Sequence, residues 1–231
     1  VLAETNAAAA AYVGVRARTN AMLRTASPDD AATTVPACPE WTVKDLAAHM
    51  AGVCEDILAG NLEGVATDAW TGAQVTRHAG GSLDDVLDCW DRTGPDIEAS
   101  VPNFPQAAAA QFVFDATNHE HDLRGALGQP GARDADALSV GLSFVFNALD
   151  GSARAGSVPP VEVITRHRRF AIGADEPALV LRADLFEVFR AFGGRRSFDQ
   201  IRALDWTGDP TPLLAMFETS PLHPPTDDLV E

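Results

Sequence analysis

The 231-residue chain has one lysine (Lys44), one tyrosine (Tyr12) and three cysteines (Cys38, Cys54 and Cys89). An odd cysteine count without CxxC spacing argues against a disulfide framework and against a cysteine-based zinc site. Cys54 and Cys89 fall in helical patterns and read as packing residues of a reduced, cytoplasmic protein. No run of about 18 apolar residues occurs, so no membrane span is expected. The first residues, Val1-Leu-Ala-Glu-Thr, lack a basic stretch ahead of an apolar core, and no signal peptide is expected. GxGxxG, Walker A and GxSxG patterns are all missing, which removes support for nucleotide binding and for a hydrolase elbow. Positive charge is scarce as well. Seventeen basic residues face 33 acidic ones, a net charge of −16, and this disfavours nucleic-acid binding.

The imbalance is uneven. Residues 1–150 hold 21 acids against 8 bases, whereas residues 151–231 hold 12 against 9, with eight arginines between Arg166 and Arg202. Two readings stand: a local patch for an acidic small molecule, or a solvated, salt-bridged surface.

Hydrophobic residues make up 46% of the chain, an ordinary globular share. The first half reads as helices. Residues 3–25 carry an apolar face of Ala10, Val13, Val15, Ala21, Met22 and Leu23, and a turn follows at 26–30. A loop from Val35 leads to Thr42 and Asp45, a variant capping box. From there Val43, Leu46, Met50, Val53 and Ile57 repeat at helical spacing toward Gly60. Residues 61–81 look irregular. Ser82 and Asp85 open a third helix, residues 107–127 form a fourth and residues 134–149 a fifth. The Gly/Ser/Pro-rich stretch 150–160 looks like a linker, so the boundary is placed between 1–150 and 151–231. Beyond it, Val161–Thr165, Arg169–Gly173 and Ala178–Arg182 read as strands. Helices are expected at 184–192, from Ser197 to Ala203, and at 210–217. The chain is thus expected to be mainly α, a helical bundle followed by a small α+β domain.

Chemistry concentrates in two of the helices. Asp115 and His119 are four residues apart, so both leave one helix face, and that face also carries Phe112, Ala116, Leu123 and Ala126. Polar groups on an inward stripe are costly unless paired. A divalent metal shared with His49, at the edge of the second helix's apolar stripe, would pair with both. Three N/O donors with an open fourth position is the catalytic zinc pattern. Asp122, three residues after His119, is placed to orient that ring or to pair with an arginine. His121 lies two residues beyond His119, about 200° round the helix, so it shares no ligand face with Asp115 and is left to contact substrate or the second domain, or to be exposed. His78 and His223 fall in expected loops, and His167 lies among Arg166, Arg168 and Arg169; none reads as a ligand.

Three segments resemble the mycothiol-dependent maleylpyruvate isomerase family, whose N-terminal part is a DinB/YfiT-like metal-binding bundle. Cys38-Pro-Glu-Trp-Thr-Val-Lys-Asp-Leu-Ala-Ala-His49 is similar to its C-P-x-W-[ST]-V-x-D-L-x-x-H segment. Asp115-Ala-Thr-Asn-His119-Glu-His-Asp-Leu-Arg-Gly-Ala-Leu-Gly128 is similar to its E-x-x-x-H-x-x-D-L-x-x-A-x-G segment, with Asp for the usual Glu and His121 for the usual aromatic. Phe192-Gly-Gly-Arg195-Arg196-Ser-Phe-Asp199 through Trp206-Thr-Gly-Asp209-Pro210 is similar to a shorter pattern near the family's C-terminal end.

The resemblance implies zinc, or another divalent metal, held by His49, Asp115 and His119. It implies mycothiol as thiol cosubstrate and a small electrophilic substrate whose carboxylates are held by arginine, with Arg195 and His49 in the catalytic roles. The expected activity is cis–trans isomerisation or S-transfer. A non-catalytic metal-binding or regulatory protein and a metal-assisted hydrolase remain the alternatives, since fold resemblance does not fix substrate.

Overall fold

Apolar periodicity and capping side chains set most boundaries in the computed structural model, which describes residues 2–231. α1 (Thr5–Leu23) buries Ala8, Tyr12, Val15, Thr19, Met22 and Leu23. Val13, expected on that face, is instead exposed, because the buried stripe runs through Tyr12. Ser27 caps a single turn, α2 (Pro28–Ala31), where only a turn is expected. The expected loop that follows is a short antiparallel ladder. β1 (Thr34–Val35) pairs with β2 (Cys38–Thr42), with Val35 opposite Cys38.

Thr42 ends that ladder and starts α3 (Val43–Ala59). Its hydroxyl accepts from the Asp45 amide at 3.2 Å, and the Asp45 carboxylate accepts from the Thr42 amide at 3.0 Å. Gly60 closes the helix in the left-handed conformation, φ 72°. The region read as irregular contains α4 (Asp68–Arg77), capped by Thr67. Its buried face holds only Trp70 and Gln74, too little apolar surface to register as periodicity. α5 (Leu83–Ser100) starts at a Ser82/Asp85 capping box and continues through Pro95. α6 (Gln106–Ala126) follows a 3-10 turn.

α1 packs against α5 and α6, and α3 against α4, α5 and α6. Val15, Leu46, Leu87, Trp90, Ile97, Val113 and Leu123 fill the space between them. Trp90 Nε1 donates to the Tyr12 hydroxyl at 3.1 Å, which lies 3.0 Å from Cys54 Sγ. One charge locks α1 to α6: fully buried Glu120 accepts from Arg18 Nε and Nη2 at 2.9 and 2.7 Å. It also accepts from Arg124 Nε and Nη2 at 3.2 and 2.9 Å.

The chain's internal packing divides after Gly131, into Glu4–Gly131 and Ala132–Val230, rather than at 150. α7 (Asp136–Arg154) runs into the first half of the stretch read as a linker. Asp150 accepts from Arg154 Nε at 2.7 Å and from the Gly173 amide at 2.7 Å, which holds the helix end in place. β3 (Val161–Ile164), β4 (Arg169–Ile172) and β5 (Leu179–Arg182) are the expected strands. They precede α8 (Leu185–Phe192) and α9 (Phe198–Arg202). β6 (Asp205–Thr207), too short to show alternation, and α10 (Thr211–Phe217) complete the unit. The sheet order is β4-β3-β5-β6, with β3 and β5 parallel and the outer pairings antiparallel. Phe146 on α7 meets Phe170 and Phe192 edge-on at 5.2 and 5.4 Å, joining α7 to β4 and α8. Several of the arginines are paired within this unit: Arg196 donates to Glu187 at 2.8 and 3.0 Å, and Arg169 to Glu162 at 3.3 Å. Among the described residues no helix is long and apolar enough to cross a membrane.

Two outcomes follow from this packing. Glu120→Ala is expected to lower the unfolding free energy by about 3–5 kcal/mol, the usual cost of breaking a buried charge pair, read as a shifted denaturation midpoint. Arg18→Ala, at a side chain 34% exposed, is expected to cost less. Burial pushes the Cys54 thiol up to about 12, and burial with the neighbouring Glu55 carboxylate pushes Cys89 up to about 11. Since the thiolate is the nucleophile, iodoacetamide near neutral pH is expected to alkylate half-buried Cys38 and spare the other two in native protein. Equal labelling of all three, read by peptide mass spectrometry, would contradict the packing.

Candidate metal centre

The capping box at Thr42 sets the phase of α3 and turns His49, 3% exposed, toward α6. On α6, Asp115, His119 and Asp122 lie at i, i+4 and i+7 and share one face. His49 Nε2 lies 3.6 Å from Asp115 Oδ2, and His119 Nε2 lies 3.4 Å from Asp115 Oδ1. One donor atom from each of the three residues falls within 4.8 Å of the others. The two imidazoles meet edge-on at 5.1 Å, and Trp41 covers the other side of His49 at 5.2 Å.

Each ring presents Nε2 because Nδ1 is occupied. His119 Nδ1 donates to Asp122 Oδ2 at 3.0 Å, the orienting role read for Asp122 from its spacing. His49 Nδ1 donates to Gln74 Oε1 at 2.8 Å. Gln74 escapes notice in the sequence because α4 does. The usable signals were Thr67 as a cap and Asp68 and Arg77 at the two ends of one short helix.

The electrostatics suit a cation. Burial alone would raise the Asp115 carboxyl, but His119 and His49 outweigh it and hold the group well below its ordinary 3.8. Burial would likewise depress the His119 imidazole, yet Asp115 and then Asp122 outweigh it and hold it well above 6.5. Two imidazole nitrogens and a carboxylate oxygen form an N/O donor set of the catalytic zinc type. Asp122 is fully buried, whereas the Asp115 side chain is 41% exposed, so the cluster opens to water on the carboxylate side. The donor set therefore fits a divalent metal with a free position facing solvent.

Among the described residues two other groups have donor atoms in range. Cys38, His119 and Asp122 share His119 through the nitrogen already bonded to Asp122, and the Cys38 thiol donates to Asp122 Oδ2 at 3.6 Å. Glu55, His78 and Cys89 form the second group. There the Glu55 carboxylate is already paired, accepting from Arg77 Nη1 and from the Cys89 thiol, each at 3.0 Å. His78, expected to have no partner, lies 2.9 Å from Glu55 through Nε2. His121 is 3% exposed, which removes the exposed reading. His167 is exposed, and His223 Nδ1 donates to the Pro224 carbonyl at 2.6 Å. Arg195 belongs to the 132–230 unit, on the turn after α8, where its Nη1 donates to the Gly193 carbonyl at 3.4 Å.

The sequence pattern of the family described as "Mycothiol maleylpyruvate isomerase N-terminal domain" matches residues 14–189. Two crystal structures share the fold. One is of a mycothiol-dependent maleylpyruvate isomerase, at TM-score 0.55 and 11% identity. The other is of a histidine-to-alanine mutant of a protein of that name, at TM-score 0.58 and 9% identity. Each alignment covers 89% of this chain and 93% of the other. No curated protein matches the chain. A family pattern spanning most of the chain, over a DinB-like helical architecture, places this protein in the mycothiol maleylpyruvate isomerase family.

Proposed function

We propose that the chain is a zinc-dependent, mycothiol-using isomerase or S-transferase acting on small electrophilic substrates. The observation that carries this reading is the meeting of His49, Asp115 and His119 at one locus with both Nε2 atoms turned toward the carboxylate. A metal held there would supply a Lewis acid that keeps a bound thiol as thiolate at neutral pH. The chain's residues do the rest. Asp122 and Gln74 hold the two rings in place, Trp41 walls the His49 side, and the exposed edge at Asp115 admits thiol and substrate.

The chemistry then belongs to the thiol. Its sulfur adds to a double bond conjugated with a carbonyl, and the π electron pair moves onto the carbonyl oxygen. Rotation about the resulting single bond and expulsion of the thiolate gives the geometric isomer. Capture of a proton at carbon instead gives the thioether. For Arg195 the resemblance alone supplies a role, holding a substrate carboxylate through paired hydrogen bonds. Cys38, Cys54 and Cys89 as thiols rather than disulfides agree with a reducing, cytoplasmic setting.

The test separates the alternatives. Zinc-reconstituted protein is expected to hold one equivalent of metal, lost in His49→Ala and His119→Ala and kept in Asp115→Glu. A reactive electrophile is expected to be isomerised or to form an adduct only when mycothiol is present, and not with His49→Ala. Thiol-independent turnover would assign the centre to hydrolysis. Metal binding with no turnover across a broad electrophile panel would assign it to binding or regulation.

A further inference from the structure

His49 is held from behind by a chain of hydrogen bonds that permits only one direction. Asp56 lies seven residues after His49 on α3 and is 3% exposed. Its carboxylate accepts from Asn61 Nδ2 at 3.0 Å, Arg77 Nη2 at 2.6 Å and Gln74 Nε2 at 2.8 Å. Burial would raise this carboxyl, but those donors outweigh it and keep the group ionised, below its ordinary 3.8. An ionised carboxylate only accepts. The Gln74 amide nitrogen must therefore face Asp56, which turns the Gln74 oxygen to His49 Nδ1 at 2.8 Å. That oxygen in turn requires a proton on Nδ1, and Nε2 is left as the nitrogen facing Asp115.

The approach of Gln74 is also built into α3. A Cβ at Gly52 would lie 2.6 Å from Gln74 Cβ and 2.8 Å from its Cγ. Glycine in a helix interior is destabilising relative to alanine, and here that residue makes the room Gln74 occupies. Gln74 itself is 0% exposed.

We propose that Gln74 is a positioning residue that fixes the His49 tautomer so that Nε2 is the metal-binding nitrogen, and that Gly52 is the gap through which Gln74 reaches the ring. The proposal rests on the metal reading given above. It assigns Gln74 a task beyond filling space, because a side chain of similar volume without the amide would pack but leave the ring without its acceptor.

The test uses the full chain and two readouts: the His49 tautomer by 15N NMR of the imidazole nitrogens, and zinc affinity by competition with a chromophoric chelator. Wild type is expected to show the Nδ1–H tautomer. Gln74→Leu is expected to mix the tautomers and weaken zinc by about 10–100-fold, the usual cost of losing an outer partner of a metal-bound histidine. Gly52→Ala is expected to do the same while circular dichroism shows helix content retained. Gln74→Glu alone is expected to fail, since two carboxylates would face each other. Gln74→Glu with Asp56→Asn is expected to recover affinity, because the amide at 56 then donates and the carboxylate at 74 accepts. Zinc binding in wild type with affinity and tautomer unchanged in Gln74→Leu overturns the role of Gln74 alone. No zinc binding by wild type overturns the metal reading and this role with it.

Discussion

Thr117 to Asp122 places six polar side chains in succession inside the bundle, each under 9% exposed. Polar groups removed from water must find partners or destabilise the fold by several kcal/mol apiece. That requirement organises the first unit. Glu120 draws Arg18 from α1 and Arg124 from its own helix. Asp122 takes His119 Nδ1 and the Cys38 thiol from β2. Thr117 turns its hydroxyl back to the Val113 carbonyl at 2.6 Å. The surrounding elements are positioned as much by what α6 has to satisfy as by apolar packing.

The same constraint explains why the candidate centre sits where it does. A histidine and an aspartate one turn apart on such a helix are each half-satisfied by the other, and His49 supplies the remaining contact from α3. Aspartate, where the resembling segment carries glutamate, would shorten that arm by one carbon. The contacts from Asp115 to the two Nε2 atoms, 3.4 and 3.6 Å, show that the shorter arm still reaches both rings.

Much of this was legible in the chain itself, because the features involved are local. Thr42/Asp45 and Ser82/Asp85 announce their helices through side chains three residues apart, and the structure makes both reciprocal caps. The Asp115/His119 pair follows from helical pitch. What escaped depends on partners distant in sequence or on surface too small to show a period. α4 buries one tryptophan and one glutamine, so its composition looks like a loop. β6 has three residues. The division after Gly131 was hidden because Gly151, Ser152 and Gly156 read as a linker, whereas Asp150 ties that segment to Arg154 and to Gly173. Gln74 could not be matched to His49 because no rule of spacing joins residues on separate helices.

The uneven exposure around the centre has a kinetic meaning. His49 and His119 are enclosed, while Asp115 meets the solvent. Any cation seated among them would meet water on the carboxylate side. Loading and loss would share that doorway, so small chelators would strip the ion without unfolding the helices that surround it.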